Sequence, residues 1–504
     1  MCYNYAVKGR NLFMKYISVE EFANKIGLSA RSVRNYCVQG RIEGAYLKGK
    51  TWLIPENANK PERMGSDFLN EEEKKNAKDL LSFINESPNA FFVIENVKKQ
   101  LIKAGFAENF ENNPKKLKPG DKVFFVRNGT SIVALDIGEK AKPSFHVIAA
   151  HTDSPCFKIK PESDSKSDIY NRINLAPYGG MIASTWFDRP LSIAGRVVID
   201  KGDEIIYKLV NLKDLTVMIP NLCIHFNREI NSGYSYNMAV DLQAFISQEK
   251  NSATLKELIA KHLKINKEEI INFDLYLYNK EEGIIWGNEK EYISSPRLDD
   301  LECVFAASQA FTSAHNEEAI NVLYLSDNEE VGSNSRQGAD SDYLKVILTR
   351  LSNNLHLDYE MAVANSFLIS ADNAHAVHPN KPGITDSDNK AYMNKGIAIK
   401  FNAAQTYASD ALSSAIFQKI CDNVNVPYQF FTNRSDLRGG GTLGNILLSH
   451  ISFCAVDIGL PQLAMHSSYE TAGSKDVSYA IKTFKEFYSS EILFNDTKYV
   501  IKKS

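Results

Sequence analysis

Histidine and carboxylate side chains recur in this 504-residue chain immediately after short apolar runs. "FHVIAA" (145–150) ends on His151-Thr152-Asp153, and "INVLYLS" (320–326) ends on Asp327-Asn328-Glu329-Glu330. "SFLIS" leads to Asp372, and "PQLAM" leads to His466. Imidazole nitrogens with carboxylate oxygens form a ligand set for zinc or a similar divalent cation, not for a metal that prefers thiolates. "SSPRLDDLECV" (294–304) adds Asp299 and Asp300 where a loop meets a helix start, and one carboxylate there can bridge two cations. Two metals roughly 3.5–4 Å apart that share a carboxylate and a water form a hydrolytic centre. His146, His262, His315, His356 and His450 lack this context and read as structural or surface residues.

A doubly wound α/β sheet would gather these positions, because the carboxyl ends of its strands share one edge where ligands bind. Strand-sized apolar runs alternate with helical stretches such as 302–313 and 409–424, the pattern of a largely parallel sheet. Residues 70–106 are helical in two stretches, broken near Ser87-Pro88. The middle of the chain, 157–295, lacks the alternation. There "RPLSIAGRVVIDKGDEIIYKLVNL" reads as paired antiparallel strands around Lys201-Gly202-Asp203, so this segment is expected to be an inserted β-rich domain. "RGGGTLGN" (438–445) contains the spacing of a dinucleotide fingerprint. It lies too far behind its strand and lacks an acidic ribose partner, so its backbone is expected to line a substrate pocket.

The formal charge of -3 hides an asymmetry: residues 1–63 hold eleven Lys/Arg and five Asp/Glu, a balance of +6, which leaves -9 for the rest. The first sixty residues therefore read as a separate module. In it, Ser18 and Glu21 form a capping box for a helix whose inner face is Phe22, Ile26 and Leu28. Gly27 closes this helix, Ser29 caps a second with Val33 and Tyr36 inward, and "AYLKGKTWLIP" makes a hairpin. Helix, tight turn, basic helix and wing resemble the excisionase/MerR-type winged helix-turn-helix family. That resemblance implies DNA binding through residues 17–55, with Arg31, Arg34 and Asn35 facing a groove and Lys48 and Lys50 reaching phosphates. Residues 56–67 read as a linker. Seven dispersed cysteines without a CxxC pair fit reduced thiols. With no membrane-length apolar run and no signal-like N-terminus, a cytoplasmic protein is expected.

Taken in order, "HTDSP", "YGGMIASTWFDRPLSIAGRV", "SPRLDDL", "DNEEVGS", "SADNAHAVHPN" and "AMHSSYE" resemble the M18 metallo-aminopeptidases, the aspartyl aminopeptidase and aminopeptidase I family, over residues 70–495. The resemblance implies a zinc-exopeptidase fold with domains at 63–156 and 296–504 (catalytic) and 157–295 (inserted, dimerising), preceded by the winged helix-turn-helix module, 1–62, that the separate excisionase/MerR resemblance implies. It also implies an enzyme with two Zn²⁺, replaceable by Co²⁺ or Mn²⁺, that removes the N-terminal residue of peptides. His151 and Asp372 would hold one metal, Glu330 and His466 the other, and Asp299 would bridge them. Asp153 would orient His151, Glu329 would be the general base, and His225 would polarise the scissile carbonyl in a neighbouring subunit's site. Lys400, Asp436 and Gly440 would line the substrate pocket, with Lys400 favouring acidic first residues, in a dodecamer built through the inserted domain. The chain departs from the family in three places. Gly441 replaces the more usual Ser, the stretch after "HPN" lacks the His- and Glu-rich segment of eukaryotic members, and the N-terminal module is extra. That module raises a second expectation, a DNA-binding regulator with a peptide-sensing domain. A degenerate sensor should have lost a ligand or the base, and none is missing here.

Overall fold

The computed structural model describes residues 15–38, 41–60, 68–248, 252–437, 439–495 and 498–502, and the chain divides into two units, 1–68 and 69–504. In the larger unit a nine-stranded sheet has at its centre the strands Cys454–Gly459, Phe367–Ala371, Phe145–His151 and Ile320–Ser326, in that order and parallel. Every residue of Phe145–His151 and Ile320–Ser326 is buried, which is why these strands are mostly apolar, broken only at the second position by His146 and Asn321 before their polar ends. Alternate residues serve opposite faces. Ile148 and Ala150 pack with Val304, Phe305 and Phe484 on one side, and Val147 and Ala149 pack with Tyr343 and Ile347 on the other. Each fully buried large apolar side chain contributes about 1.5–3 kcal/mol, so two continuous apolar layers hold the strand ends in register.

The sheet is mixed, where the sequence pattern predicted a largely parallel one. Ser131–Ile137 runs antiparallel to Ile320–Ser326 and to Lys122–Arg127, and Ile397–Phe401 runs antiparallel to Cys454–Gly459. The reason is local. Only residues 128–130 separate Lys122–Arg127 from Ser131–Ile137, with Asn128 and Gly129 at positive φ, and so short a link closes a hairpin rather than a crossover.

Between the central strands the chain builds a six-stranded antiparallel sheet from Cys156–Ser167, Tyr170–Tyr178, Leu191–Asp200, Ile205–Asn211, Ala244–Ser247 and Ile270–Asn279. The expected hairpin around Lys201-Gly202-Asp203 is its Leu191–Asp200/Ile205–Asn211 pair. The next strands, Ile284–Trp286 and Tyr292–Ser295, belong to a separate five-stranded sheet with Glu470–Gly473, Pro461–Leu463 and Ala374–His375. Helices Glu71–Asn85 and Ala90–Lys103 flank the Ser87-Pro88 break. Among the described residues, no helix is long and apolar enough to cross a membrane.

In the smaller unit Ser18 forms its capping box with Glu21, helix Val19–Ile26 ends at Gly27 (φ 71°), and helix Ala30–Val38 follows. Ser29 Oγ accepts from Ser32 N at 3.1 Å. The hairpin Tyr46–Lys48/Thr51–Pro55 gains a third strand, Tyr16–Ser18, which the sequence did not announce. Phe22, Val33 and Ile54 fill the core, and Cys37 rather than Tyr36 takes the second buried position of the second helix.

Candidate active site

The carboxyl ends of the central strands deliver His151, Asp372 and the Glu329-Glu330 pair to one cleft. The glutamates do not extend their strand. They sit on a single 3₁₀ turn, Glu329–Val331, entered through Asn328 (φ 63°) and left through Gly332 (φ 95°). Successive side chains on such a turn diverge by about 120°, so adjacent glutamates address the cleft from different directions. His466 arrives from elsewhere. Its preceding strand, Pro461–Leu463, lies in the five-stranded sheet, because the chain leaves the main sheet at Gly459. Asp299 and Asp300 open helix Leu298–Ser313 with non-helical dihedrals and a cis peptide between them.

Asp299 is the hub. Its Oδ1 lies 3.4 Å from His151 Nε2 and its Oδ2 lies 3.5 Å from His466 Nε2. His151 Nε2 is also 3.7 Å from Asp372 Oδ1, and His466 Nε2 is 3.3 Å from Glu330 Oε2. These gaps exceed hydrogen-bond lengths, yet they match the edges, about 3.3 Å, of a tetrahedron with ~2.05 Å bonds around zinc. Among the described residues three overlapping groups result, His151-Asp299-Asp300-Asp372, His151-Glu329-Glu330 and Asp299-Glu330-His466, each with ligand atoms within 4.8 Å of one another. Among the described residues Asp299 Oδ1 and Glu330 Oε1 are buried without a hydrogen-bond partner, which a cation between them would supply. The donors are nitrogen and oxygen throughout, as zinc, manganese or cobalt accepts.

Both imidazoles present Nε2 because Nδ1 is committed. The Nδ1–H of His151 donates to Asp153 O at 3.1 Å, and that of His466 donates to Gly180 O at 2.9 Å. Asp153 is itself clamped: its carboxylate accepts from Glu329 N (3.1 Å), Glu330 N (3.2 Å) and Tyr178 Oη (2.7 Å). Asp153 thereby holds the turn that carries both glutamates, a part beyond the expected orientation of His151. Burial raises the Glu329 carboxyl to about 7; His151 pulls it down, and Asp372, Asp153 and Asp299 push it up. Burial opposes charge on His466, but Asp299 beside it lifts the imidazole to about 9. The cleft therefore holds more negative charge than the chain alone balances.

The remaining predicted residues fall elsewhere or pair differently. Lys400 is buried with Nζ 3.6 Å from Asp372 Oδ2 and 5.5 Å from the Tyr407 ring centroid. Asp436 is exposed and forms an ion pair with Arg434 at 2.6 Å, and Gly440 lies on the same exposed loop. His225 is exposed in the inserted segment, beside Phe226 at 82% exposure. In the smaller unit Arg31, Arg34, Asn35, Lys48 and Lys50 are all exposed, and Arg34 pairs with Glu20. Sequence reasoning missed Tyr178 and Glu470, whereas Asp300, offered with Asp299 as a bridging carboxylate, joins the His151 group. Glu470 lies four residues after His466, and Tyr178 heads the "YGGM" motif; neither spacing carries a chemical signature by itself.

Residues 83–488 match the family model described as aminopeptidase I zinc metalloprotease (M18). A probable M18 family aminopeptidase 2 of Clostridium novyi is 46% identical over 429 residues, covering 82% of this chain and 99% of that protein. Aspartyl aminopeptidase 1 of Schizosaccharomyces pombe is 36% identical over 451 residues, covering 83% and 95%. A solved structure of the S. cerevisiae mApe1 dodecamer superposes with a TM-score of 0.74 at 28% identity, over 83% of this chain and 97% of that one.

Proposed function

This chain belongs to the M18 family and is an aminopeptidase, and from that premise we propose a dinuclear zinc centre that releases the N-terminal residue of peptides. The observation that carries the reading is Asp299, which turns one oxygen to His151 and the other to His466. His151 and Asp372 would hold one cation, Glu330 and His466 the second, with Asp299 between them. Cations there would supply Lewis-acid activation of water and of the scissile carbonyl. Glu329, with a carboxyl raised to about 7, is suited to take a proton from water and pass it to the leaving amine. Asp153 keeps Glu329 in place through the hydrogen bond from its backbone N–H.

Lys400 supports a preference for acidic first residues. It is a buried cation beside Tyr407, in the strand Ile397–Phe401 next to the cleft. His225 would act in a partner copy. The exposed Leu222 (59%), Ile224 (47%) and Phe226 (82%) around it favour a segment covered by another subunit of a homo-oligomer. The test is hydrolysis of N-terminal Asp, Glu and Ala substrates by zinc-loaded enzyme. Glu329→Gln should lose at least about 100-fold in kcat while keeping its metal, and full activity in that variant would refute the base.

A second role rests on the smaller unit, which we propose to be a winged helix-turn-helix domain. Arg31 and Asn35 share the exposed side of helix Ala30–Val38, and Lys48 and Lys50 flank the hairpin tip at Gly49. Arg34 is drawn off by Glu20, which leaves a smaller basic face than the sequence promised. A gel shift of the full chain on promoter-proximal duplex DNA should lose its salt-sensitive band in Arg31→Ala/Lys50→Ala. The absence of any shift for the wild type would assign the unit to protein docking instead.

A further inference from the structure

Resting on the dinuclear reading, we propose that Glu470 is a positioning residue that fixes the distance between the bridging Asp299 and His466. Glu470 is 2% exposed, and both of its carboxylate oxygens are used. Oε1 accepts from His466 N at 2.7 Å and Oε2 accepts from Asp299 N at 3.1 Å. One side chain therefore ties together the backbones of two groups that lie 167 residues apart in sequence and only 3.5 Å apart in space.

The arrangement follows from sheet register. Glu470 opens strand Glu470–Gly473 and pairs with Ser295, the last residue of the strand that leads into Asp299. That register sets the carboxylate opposite the turn at 296–299. The His466 loop needs such a tie, because Ala464 (φ 57°) and His466 (φ 68°) both occupy left-handed backbone that Cβ-bearing residues avoid. Such a conformation persists only where its surroundings over-determine it. The other contacts of the loop hold a different side: His466 Nδ1–H donates to Gly180 O at 2.9 Å, and His466 O accepts from Ile182 N at 2.9 Å. Those two bonds orient the imidazole ring against residues 180–182, whereas Glu470 references it to Asp299.

Glu470→Gln tests this, since the amide keeps the shape but turns an N–H toward a backbone N–H. The readout is Co²⁺ titration of metal-free full-length enzyme, followed by visible d–d absorption and calorimetry, alongside kcat and KM. Wild type is expected to take up two equivalents. In Glu470→Gln the second should bind roughly 10–100-fold more weakly with an altered spectrum, the usual cost of losing a residue that orients a metal ligand. The kcat should fall while KM stays within about twofold. Glu470→Asp keeps the charge but shortens the reach, and should give an intermediate affinity; it also guards against a folding failure in the first variant. Unchanged second-site affinity and spectrum in both folded variants would overturn the assignment of Glu470. A single equivalent in wild type would instead contradict the dinuclear reading, and the same comparison would then test Glu470 on that one ion.

Discussion

Replacing Tyr178 by Phe removes one oxygen from the structure and should cost the enzyme turnover rather than substrate binding. That oxygen donates to Asp153 Oδ2 at 2.7 Å and accepts from Asn328 Nδ2 at 2.8 Å. Asp153 is 5% exposed, so water cannot readily replace the lost donor. A hydrogen bond to a charged group is worth about 1.5–3 kcal/mol, and the half-buried Asn328 amide left unpaired adds about 1 kcal/mol. The total, about 3 kcal/mol, falls on the 3₁₀ turn that carries Glu329 and Glu330, whose backbone N–H groups share the same carboxylate. If all of it appeared as displaced catalytic groups, it would equal about two decades of rate, so kcat should fall between ~10- and ~100-fold. Tyr178 ends a strand of the inserted sheet and its hydroxyl is engaged by Asp153 and Asn328, so KM should stay within about twofold. Steady-state kinetics on one N-terminal aspartyl substrate, with a thermal melt as a folding control, measures both. A Tyr178→Phe enzyme with wild-type kcat and an unchanged melt would refute the claim that Asp153 and Tyr178 position the glutamate turn.

Other expectations follow from single features. His146 is buried beside Phe487, and burial lowers its imidazole to about 4 against the opposing pull of Phe487 O and Glu491. Its folded value lies below the unfolded ~6.5, so its contribution is complete above ~6.5 and is lost as pH falls toward 4, by about 3 kcal/mol. The drop in melting temperature between pH 7 and pH 5 should be smaller in His146→Leu, and an equal drop would remove His146 as the cause. Gly444→Ala would bring a Cβ within 2.7 Å of Asp457 Oδ1 and 2.8 Å of Ser370 Cβ, both buried. It should destabilise by about 1–3 kcal/mol, read as a lower melting temperature, and an unchanged melt would show that the start of helix Leu443–Leu448 yields. Lys400→Met should lower kcat/KM for aspartyl over alanyl substrates by at least about tenfold, the value of one lost charge pair at ~1.4 kcal/mol. An unchanged ratio would place acidic preference elsewhere.

How far the site could be read from sequence depended on what positions each residue. His151, Asp372 and the glutamate pair follow strands buried on both faces, which write themselves as mostly apolar runs followed by polar residues. Asp299 was visible because two adjacent carboxylates at a helix start are unusual. Tyr178 and Glu470 were not visible, because each acts by joining a nearby group to one more than a hundred residues away, Tyr178 linking Asp153 to Asn328 and Glu470 linking His466 to Asp299, and no local pattern encodes that. The mixed sheet escaped for a related reason. A hairpin closed by residues 128–130 and a crossover both present an apolar run, and only the length of the link tells them apart. In the smaller unit the third strand, Tyr16–Ser18, is three residues long, too short to show a period.

The central claim is that one carboxylate, Asp299, joins two cation sites. The most direct measurement is the number of tightly bound divalent ions per chain, by elemental analysis after dialysis against zinc, in wild type and in Asp299→Asn. The account predicts two ions in wild type and fewer than two in the variant, with the aminopeptidase activity lost alongside. One ion per wild-type chain, or two retained in Asp299→Asn, would contradict it.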